Sequence, residues 1–370
     1  MDFNDSITNI TNNITDYSAG LMDYMLKQTV PVITVLGISY FLTFASSIIG
    51  NILVILVVLK IPRMRTVTNY FILNLAVSDI LVAVLCMPFT LVDNIIRGWI
   101  FGDVMCKLSP AVQVVSVSAS LFTLVGIAFD RFFAIVHPTK QAINIRSTLY
   151  IIITVWASAI CVMIPQVLLI EERAYIYEGI VVMHVCEETD KMWRKVYTLV
   201  LFVICYIGPL TIIMYLYARI GHKVWFKPSP GGGKASVEAR MNEMKKKKRV
   251  IKMLLAVVVV FTLCWLPLHS ITLLNDYGRL NPNQLDLVYI YIYPIAHWLI
   301  YLNSCVNPVI YGYFNRNFRA GFKSLVLGKS EGPLGDNVMT PNHAANGEQT
   351  TKHMRMVVIG SSRNINHTEV

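Results

Sequence analysis

Residues Ile72–Leu85 read ILNLAVSDILVAVL, an apolar run with one carboxylate, Asp79, near its middle and no basic residue beside it. An isolated charge is costly to remove from water, so this carboxylate must be paired, hydrated or protonated. A neutral Asp79 hydrogen-bonded to its neighbours is one way to meet that need. Asp130 and Arg131 place opposite charges side by side at the end of another apolar run. Five of the seven cysteines, Cys86, Cys161, Cys205, Cys264 and Cys305, fall inside apolar runs and read as buried thiols. Leu285–Tyr311 contains no Lys, which argues against a retinal Schiff base there.

The elements that position these residues are seven stretches without Lys or Arg: Val30–Leu59, Thr66–Val92, Leu108–Phe129, Ser147–Ile170, Val196–Ala218, Met253–Asn275 and Leu287–Tyr313. Asp79 is the only acid in any of them. Each is long enough to cross a hydrocarbon core of about 30 Å at about 1.5 Å per helical residue. Helices of a large soluble bundle would carry a polar stripe, and these carry almost none. The chain is 55% hydrophobic and only 15% charged, whereas soluble domains carry about 25% charged residues. The expected fold is an all-α seven-transmembrane bundle.

Basic residues orient the bundle. Eight lie on the side that holds the N-terminus and 24 on the other. The positive-inside rule puts the 24 in the cytoplasm and the N-terminus outside. The acids are biased the other way, which leaves a negative outer mouth suited to cationic ligands and a positive inner face suited to lipid headgroups. Nucleic acid is not an expected partner. The sequons at Asn4, Asn9 and Asn13 are expected outside, as glycosylation sites. No short apolar run with a cleavage site precedes the first span, so no cleavable signal peptide is expected. Cys106 and Cys186 are the two cysteines on the oxidising side and form the expected disulfide.

The expected divisions are an extracellular segment over 1–29, the bundle over 30–313, an amphipathic helix over 314–327 and a disordered cytoplasmic tail over 328–370. Phe314, Phe318, Phe322 and Leu325, with Arg316, Arg319 and Lys323 between them, give that helix an apolar and a basic face. The third inner loop contains KPSPGGGK and then five basic residues, Lys245–Arg249, either a headgroup-facing surface or an effector-docking one. The last four residues, HTEV, suit capture by a PDZ domain through Thr368 and Val370.

Gly50–Asn51, LAVSD ending at Asp79, Asp130–Arg131–Phe132, Trp156, Pro209, CWLP at Cys264–Pro267 and NPVIY at Asn307–Tyr311 occur one motif per span, in order. The chain thereby resembles class A (rhodopsin-like) G-protein-coupled receptors over about Val30 to Leu327. The resemblance implies no catalytic site and no cofactor beyond an allosteric sodium ion held by Asp79, Ser120, Asn303, Ser304 and Asn307. It implies a switch set of Asp130, Arg131, Phe261, Trp265, Pro267, Asn307, Pro308, Tyr311 and Tyr215. A heterotrimeric G protein, with Gi/o favoured over Gq, and arrestin are the implied inner partners. A cation-coupled transporter using Asp79 is the alternative outside this class. The lack of an internal repeat disfavours it.

NLAVSDILVAVLCMPFTLVDN, GWIFGDVMCK, VQVVSVSASLFTLVGIAFDRF and LNDYG look most like neuropeptide FF and related RFamide-peptide receptors. Neuropeptide Y-like, SIFamide-like, orexin-like and tachykinin-like receptors are the alternatives. Gln113 stands where amine receptors carry an Asp. The resemblance implies that Thr90 and Gln113 bind the C-terminal amide of an amidated neuropeptide, with His297 nearby. Asp276 is implied as the partner of the peptide arginine, a charge-assisted, fork-shaped contact. Glu187 and Glu188 add negative field beside Cys186.

Overall fold

The computed structural model describes residues 25–137, 143–177, 180–226 and 234–327. Asn4, Asn9, Asn13, Thr368 and Val370, and with them the expected glycosylation and PDZ sites, lie outside the described residues.

Among the described residues seven helices are long and apolar enough to cross a membrane: α1 Val30–Lys60, α2 Val67–Ile95, α3 Gly102–Val136, α4 Ile145–Leu169, α5 Lys191–Val224, α6 Lys247–Tyr277 and α7 Pro282–Phe314. On its inner side α6 begins earlier, as one continuous helix from Lys234. An eighth helix, α8 Arg316–Leu327, follows α7 across a break at Asn315. Phe314 therefore closes α7 and does not open α8. Local signals set several ends. Thr66 caps α2, Asn144 caps α4, and the Asp190 carboxylate accepts from the Met192 and Trp193 amides at the start of α5. Asn281 and Gln284 form a reciprocal capping box on α7.

Helix α3 is central and packs on α2, α4 and α5, while α7 packs on α6 and α1. Phe41, Leu168, Met214 and Val309 point outward and are largely exposed, as expected of side chains facing lipid rather than a second protein layer. Hydrophobic burial does not drive helix pairing in lipid, so polar stitches and small residues do much of that work. Asn51 donates to the Ser304 carbonyl at 3.0 Å, joining α1 to α7. Asn74 donates to Thr123 at 2.8 Å and accepts from the Trp156 indole at 2.8 Å, joining α2, α3 and α4. Gly50 lets α1 close on Pro308, where a Cβ would stand 2.9 Å from the ring.

Between α4 and α5 lies an antiparallel hairpin, β1 Ile170–Tyr177 and β2 Ile180–Glu188. The Cys106–Cys186 disulfide ties β2 to the top of α3. Gly98, at φ +92°, turns the first outer loop so that the Trp99 amide donates to the His184 carbonyl at 2.6 Å. Trp99 then packs with Cys106 and Ile170 beneath the hairpin.

Candidate functional site

The bundle opens outward into a cavity of about 470 Å³. Asp93 and Asn94 of α2, Glu188 of β2, Arg194 of α5, Asp276 of α6 and His297 of α7 are among its walls. The residues just before α1 close one side. The Lys27 amide donates to the Ile95 carbonyl, the Arg97 amide to the Met25 carbonyl, and Gln28 contacts the Ile290 carbonyl of α7. The Lys27 ammonium reaches Asp93, with one carboxylate oxygen at 3.5 Å.

Asp276 is 2% exposed. The Arg194 guanidinium closes on its Oδ1, and the same guanidinium lies 3.7 Å from Glu188. Neither Asp276 oxygen has an aligned hydrogen bond. This is a charge pair held by proximity rather than by a complete fork of hydrogen bonds. A buried carboxylate stripped of its one cation costs about 3–5 kcal/mol, so Arg194 is a principal support of Asp276 in this state. By contrast the solvent-side pair Asp103–Lys107, at i and i+4 and 2.7 Å, is screened by water and adds little.

Glu187 and Glu188 part company. Side chains alternate across a strand. Glu188 faces the cavity, while Glu187 pairs with Arg173 at 3.5 Å and accepts from the Tyr175 hydroxyl at 3.0 Å on the hairpin. That hydrogen bond to an anion pushes the Tyr175 phenol above its usual range. Of the two glutamates expected to add negative field, Glu188 lines the outer cavity and Glu187 is engaged on the hairpin.

Thr90 and Gln113 are joined through a residue that sequence reasoning did not single out. The Tyr301 hydroxyl, on α7, meets Thr90 Oγ1 at 2.6 Å and donates to Gln113 Oε1 at 3.3 Å. Tyr301 is 1% exposed. The only sequence sign of it was its place on the polar-lined face of α7, one turn below His297. His297 meets Asn94 at 3.3 Å, and Asn94 donates to the Tyr40 hydroxyl at 3.1 Å.

Gln113 also borders a second, inner cavity of about 10 Å³ with Asp79, Ser120, Asn303, Ser304 and Trp265. That is roughly the room one water needs. Asp79 Oδ2 accepts from Asn307 at 3.0 Å. The Oδ1 atoms of Asn303 and Asn307 and the hydroxyl of Ser116 are buried without partners. Phe261 and Trp265 line the same cavity and stack, ring centres 5.9 Å apart. The donors are hard oxygens around a single acid, which suits a monovalent cation rather than a transition metal. Among the described residues no group of three His, Cys, Asp or Glu could hold a metal.

At the inner end of α3, Arg131 donates twice to Asp130, at 2.6 and 3.0 Å, and Asp130 also accepts from Thr68 at 2.9 Å. Tyr311 is buried with its hydroxyl unpartnered. Tyr215 does not join it. Tyr215 is 57% exposed, and its hydroxyl accepts from Arg219. Near the inner end of α5 the tyrosine that faces the core is Tyr217, 6% exposed. Two residues along a helix turn a side chain by about 200°, and this corrects the assignment of Tyr215 to the switch set.

Residues 50–311 match the model of the 7 transmembrane receptor (rhodopsin family). The chain is 44% identical to neuropeptide FF receptor 2 of Rattus norvegicus over 319 residues, covering 83% of this chain and 76% of that one. Identity to neuropeptide FF receptor 1 of Homo sapiens is 46% over 308 residues, 80% and 71% of the two chains. A QRFP-like peptide receptor of Branchiostoma floridae is 34% identical over 332 residues, 87% and 85%.

Proposed function

The chain belongs to the rhodopsin family of seven-transmembrane receptors, and from that premise we propose that its outer cavity binds an amidated peptide of the RFamide type. As a member it is a multi-pass plasma-membrane receptor that signals through heterotrimeric G proteins and is not an enzyme. The observation that carries the ligand reading is Asp276: a buried carboxylate on the wall of the outer cavity, already held against a guanidinium. A peptide arginine offers the same group. The names of the relatives, neuropeptide FF and QRFP-like receptors, agree with a peptide of this chemistry.

The peptide's C-terminal carboxamide has both a donor and an acceptor. It competes with the Tyr301 hydroxyl for Thr90 Oγ1 and Gln113 Oε1, with His297 beside the path. A free carboxylate there has no donor for Gln113 Oε1 and brings an unpaired charge into a dry site. Glu188 supplies negative field at the rim.

The ligand drives signalling only by binding one bundle arrangement more tightly than the other. Below Gln113 the chain of contact runs through Trp265 and Phe261 to the cavity at Asp79, where Asp79, Ser120, Asn303, Ser304 and Asn307 would hold a sodium ion in the resting receptor. Pro267 and Pro308 remove one backbone hydrogen bond each and give α6 and α7 a place to bend. At the inner end Arg131 leaves Asp130 to meet the G protein, of the Gi/o class in preference to Gq, while Tyr217 and Tyr311 approach. Arrestin is the second inner-face partner.

The test is a signalling dose–response in cells, comparing an Arg-Phe-amide peptide with the same peptide ending in a free carboxylate. Response to the amide alone supports the reading. Failure of both, in receptor shown to reach the surface, removes it. In Asp276→Ala the Arg peptide loses about tenfold or more in potency, at about 1.4 kcal/mol per factor of ten. A citrulline analogue loses much less, and equal losses for the two would sink the pairing.

A further inference from the structure

We infer that Arg194 is an internal competitor for the ligand's guanidinium: it occupies the Asp276 carboxylate in the ligand-free receptor and transfers to Glu188 when a peptide arginine arrives. The inference rests on the proposed RFamide reading for the identity of that arginine, but the ion pair itself is independent of it.

Asp276 has its side chain 1% exposed, so no outside cation reaches it while Arg194 is in place. Arg194 is not locked there. Its side chain is 23% exposed, its Nε has no hydrogen-bond partner, and its contact with Asp276 is not completed by aligned hydrogen bonds. A second acceptor is already within reach, since Arg194 Nη1 lies 3.7 Å from Glu188 Oε2. A small rotation of the side chain trades one carboxylate for the other without leaving Arg194 unpaired. The outer ends of α5 and α6 do not depend on the pair for their contact, because the Tyr277 hydroxyl donates to the Lys195 carbonyl at 2.8 Å.

This arrangement has a consequence for selectivity. A peptide arginine regains at Asp276 what Arg194 gives up, and Arg194 regains part of its loss at Glu188. A neutral ligand cannot offer that exchange, so Arg194 stays. Arg194 thus sets the affinity for cationic ligands downward while keeping a buried carboxylate neutralised in their absence. An uncharged residue at 194 leaves Asp276 waiting for a cation and raises the discrimination between arginine and citrulline.

The test is a cycle of Arg194→Gln, Asp276→Asn and the double variant in the full-length receptor, with Arg194→Lys as the charge-keeping control. In membranes, binding of an Arg-Phe-amide peptide and its citrulline analogue is measured. The proposal expects Arg194→Gln to bind the arginine peptide about 3- to 10-fold more tightly. The citrulline peptide should change by less than about twofold, and the gain should vanish in the Asp276→Asn background. Arg194→Lys should stay near the wild type. Weaker binding of the arginine peptide by Arg194→Gln, equal gains for both peptides, or a gain that survives Asp276→Asn would each overturn it. The thermal midpoints of the ligand-free receptors form the second reading. Singles that destabilise, with a double less affected than their sum, show the pair; strictly additive shifts refute it. If neither peptide binds surface-expressed wild-type receptor, the ligand reading falls, and the midpoints alone decide whether Arg194 holds Asp276.

Discussion

At the scale of single residues, the lone acid of Ile72–Leu85 finds its reason in the inner cavity. Asp79 accepts from Asn307, and unpartnered amide oxygens of Asn303 and Asn307 lie buried around it. Several oxygens pointing inward with too few donors among them are best reconciled by a cation. Asp79→Asn exchanges the anion for an amide that also donates. We predict that agonist affinity in wild-type membranes falls as sodium replaces an impermeant cation at fixed ionic strength, and that this dependence disappears in Asp79→Asn. A wild-type affinity indifferent to sodium would refute the ion site. Tyr215 and Tyr217 of α5 give a second, sharper contrast. Tyr217→Phe, facing the core, should reduce agonist-driven nucleotide exchange about 3- to 10-fold, the loss of one activated-state hydrogen bond worth about 0.5–1.5 kcal/mol. Tyr215→Phe, on the outer face, should leave it within about twofold, since surface changes are usually within about 0.5 kcal/mol. The reverse ranking would restore Tyr215 to the switch. Motif letters placed the Asp, Trp and Pro residues. They did not place the tyrosine, because a core-facing and a lipid-facing Tyr two residues apart are equally apolar in a membrane helix.

At the scale of elements, the contact between α1 and α7 sets two effects against each other. Gly within a helix is worse than Ala by about 0.8–1 kcal/mol, so propensity favours Gly50→Ala. A Cβ there meets a proline ring at 2.9 Å, and that ring cannot rotate away. Overpacking of this kind costs about 1–3 kcal/mol, so contact outweighs propensity. Gly50→Ala should lower the thermal midpoint of the purified receptor. Gly126→Ala, where the nearest atoms are Phe71 carbons at 3.4 Å, should leave it unchanged or raise it slightly. A midpoint raised by Gly50→Ala would show that α1 moves away from Pro308 at little cost. The spans themselves were legible from hydropathy, since length and the absence of charge report on lipid directly. The hairpin Ile170–Glu188 was not. Its place is fixed by long-range ties, the Cys106–Cys186 bond and the Trp99–His184 hydrogen bond. The Arg194–Asp276 pair was hidden for the same reason, because its partners are 82 positions apart in the chain.

At the scale of the whole molecule, charge is sorted by side. The outer segments carry a net −6 and the inner ones +17 in sequence, with Asp79 between them. Much of the outer positive charge is also spent internally: Lys27 on Asp93, Lys107 on Asp103, Arg173 on Glu171 and Glu187, Arg194 on Asp276. What faces an approaching peptide is a net-negative mouth, with four of its eight basic groups paired to acids. Such a field acts at a distance and speeds encounter, whereas the buried contacts at Asp276 and Gln113 act after it and govern release. Salt separates the two, because the screening length is about 30 Å at 0.01 M and about 8 Å at 0.15 M ionic strength. For a cationic amidated peptide, the association rate should fall steeply between those two concentrations while the dissociation rate changes little. Asp276→Asn should do the opposite, raising the dissociation rate at either concentration and leaving the salt slope of association nearly intact. An association rate insensitive to salt would mean that the sorted charge serves membrane orientation alone and that the mouth does not steer its ligand.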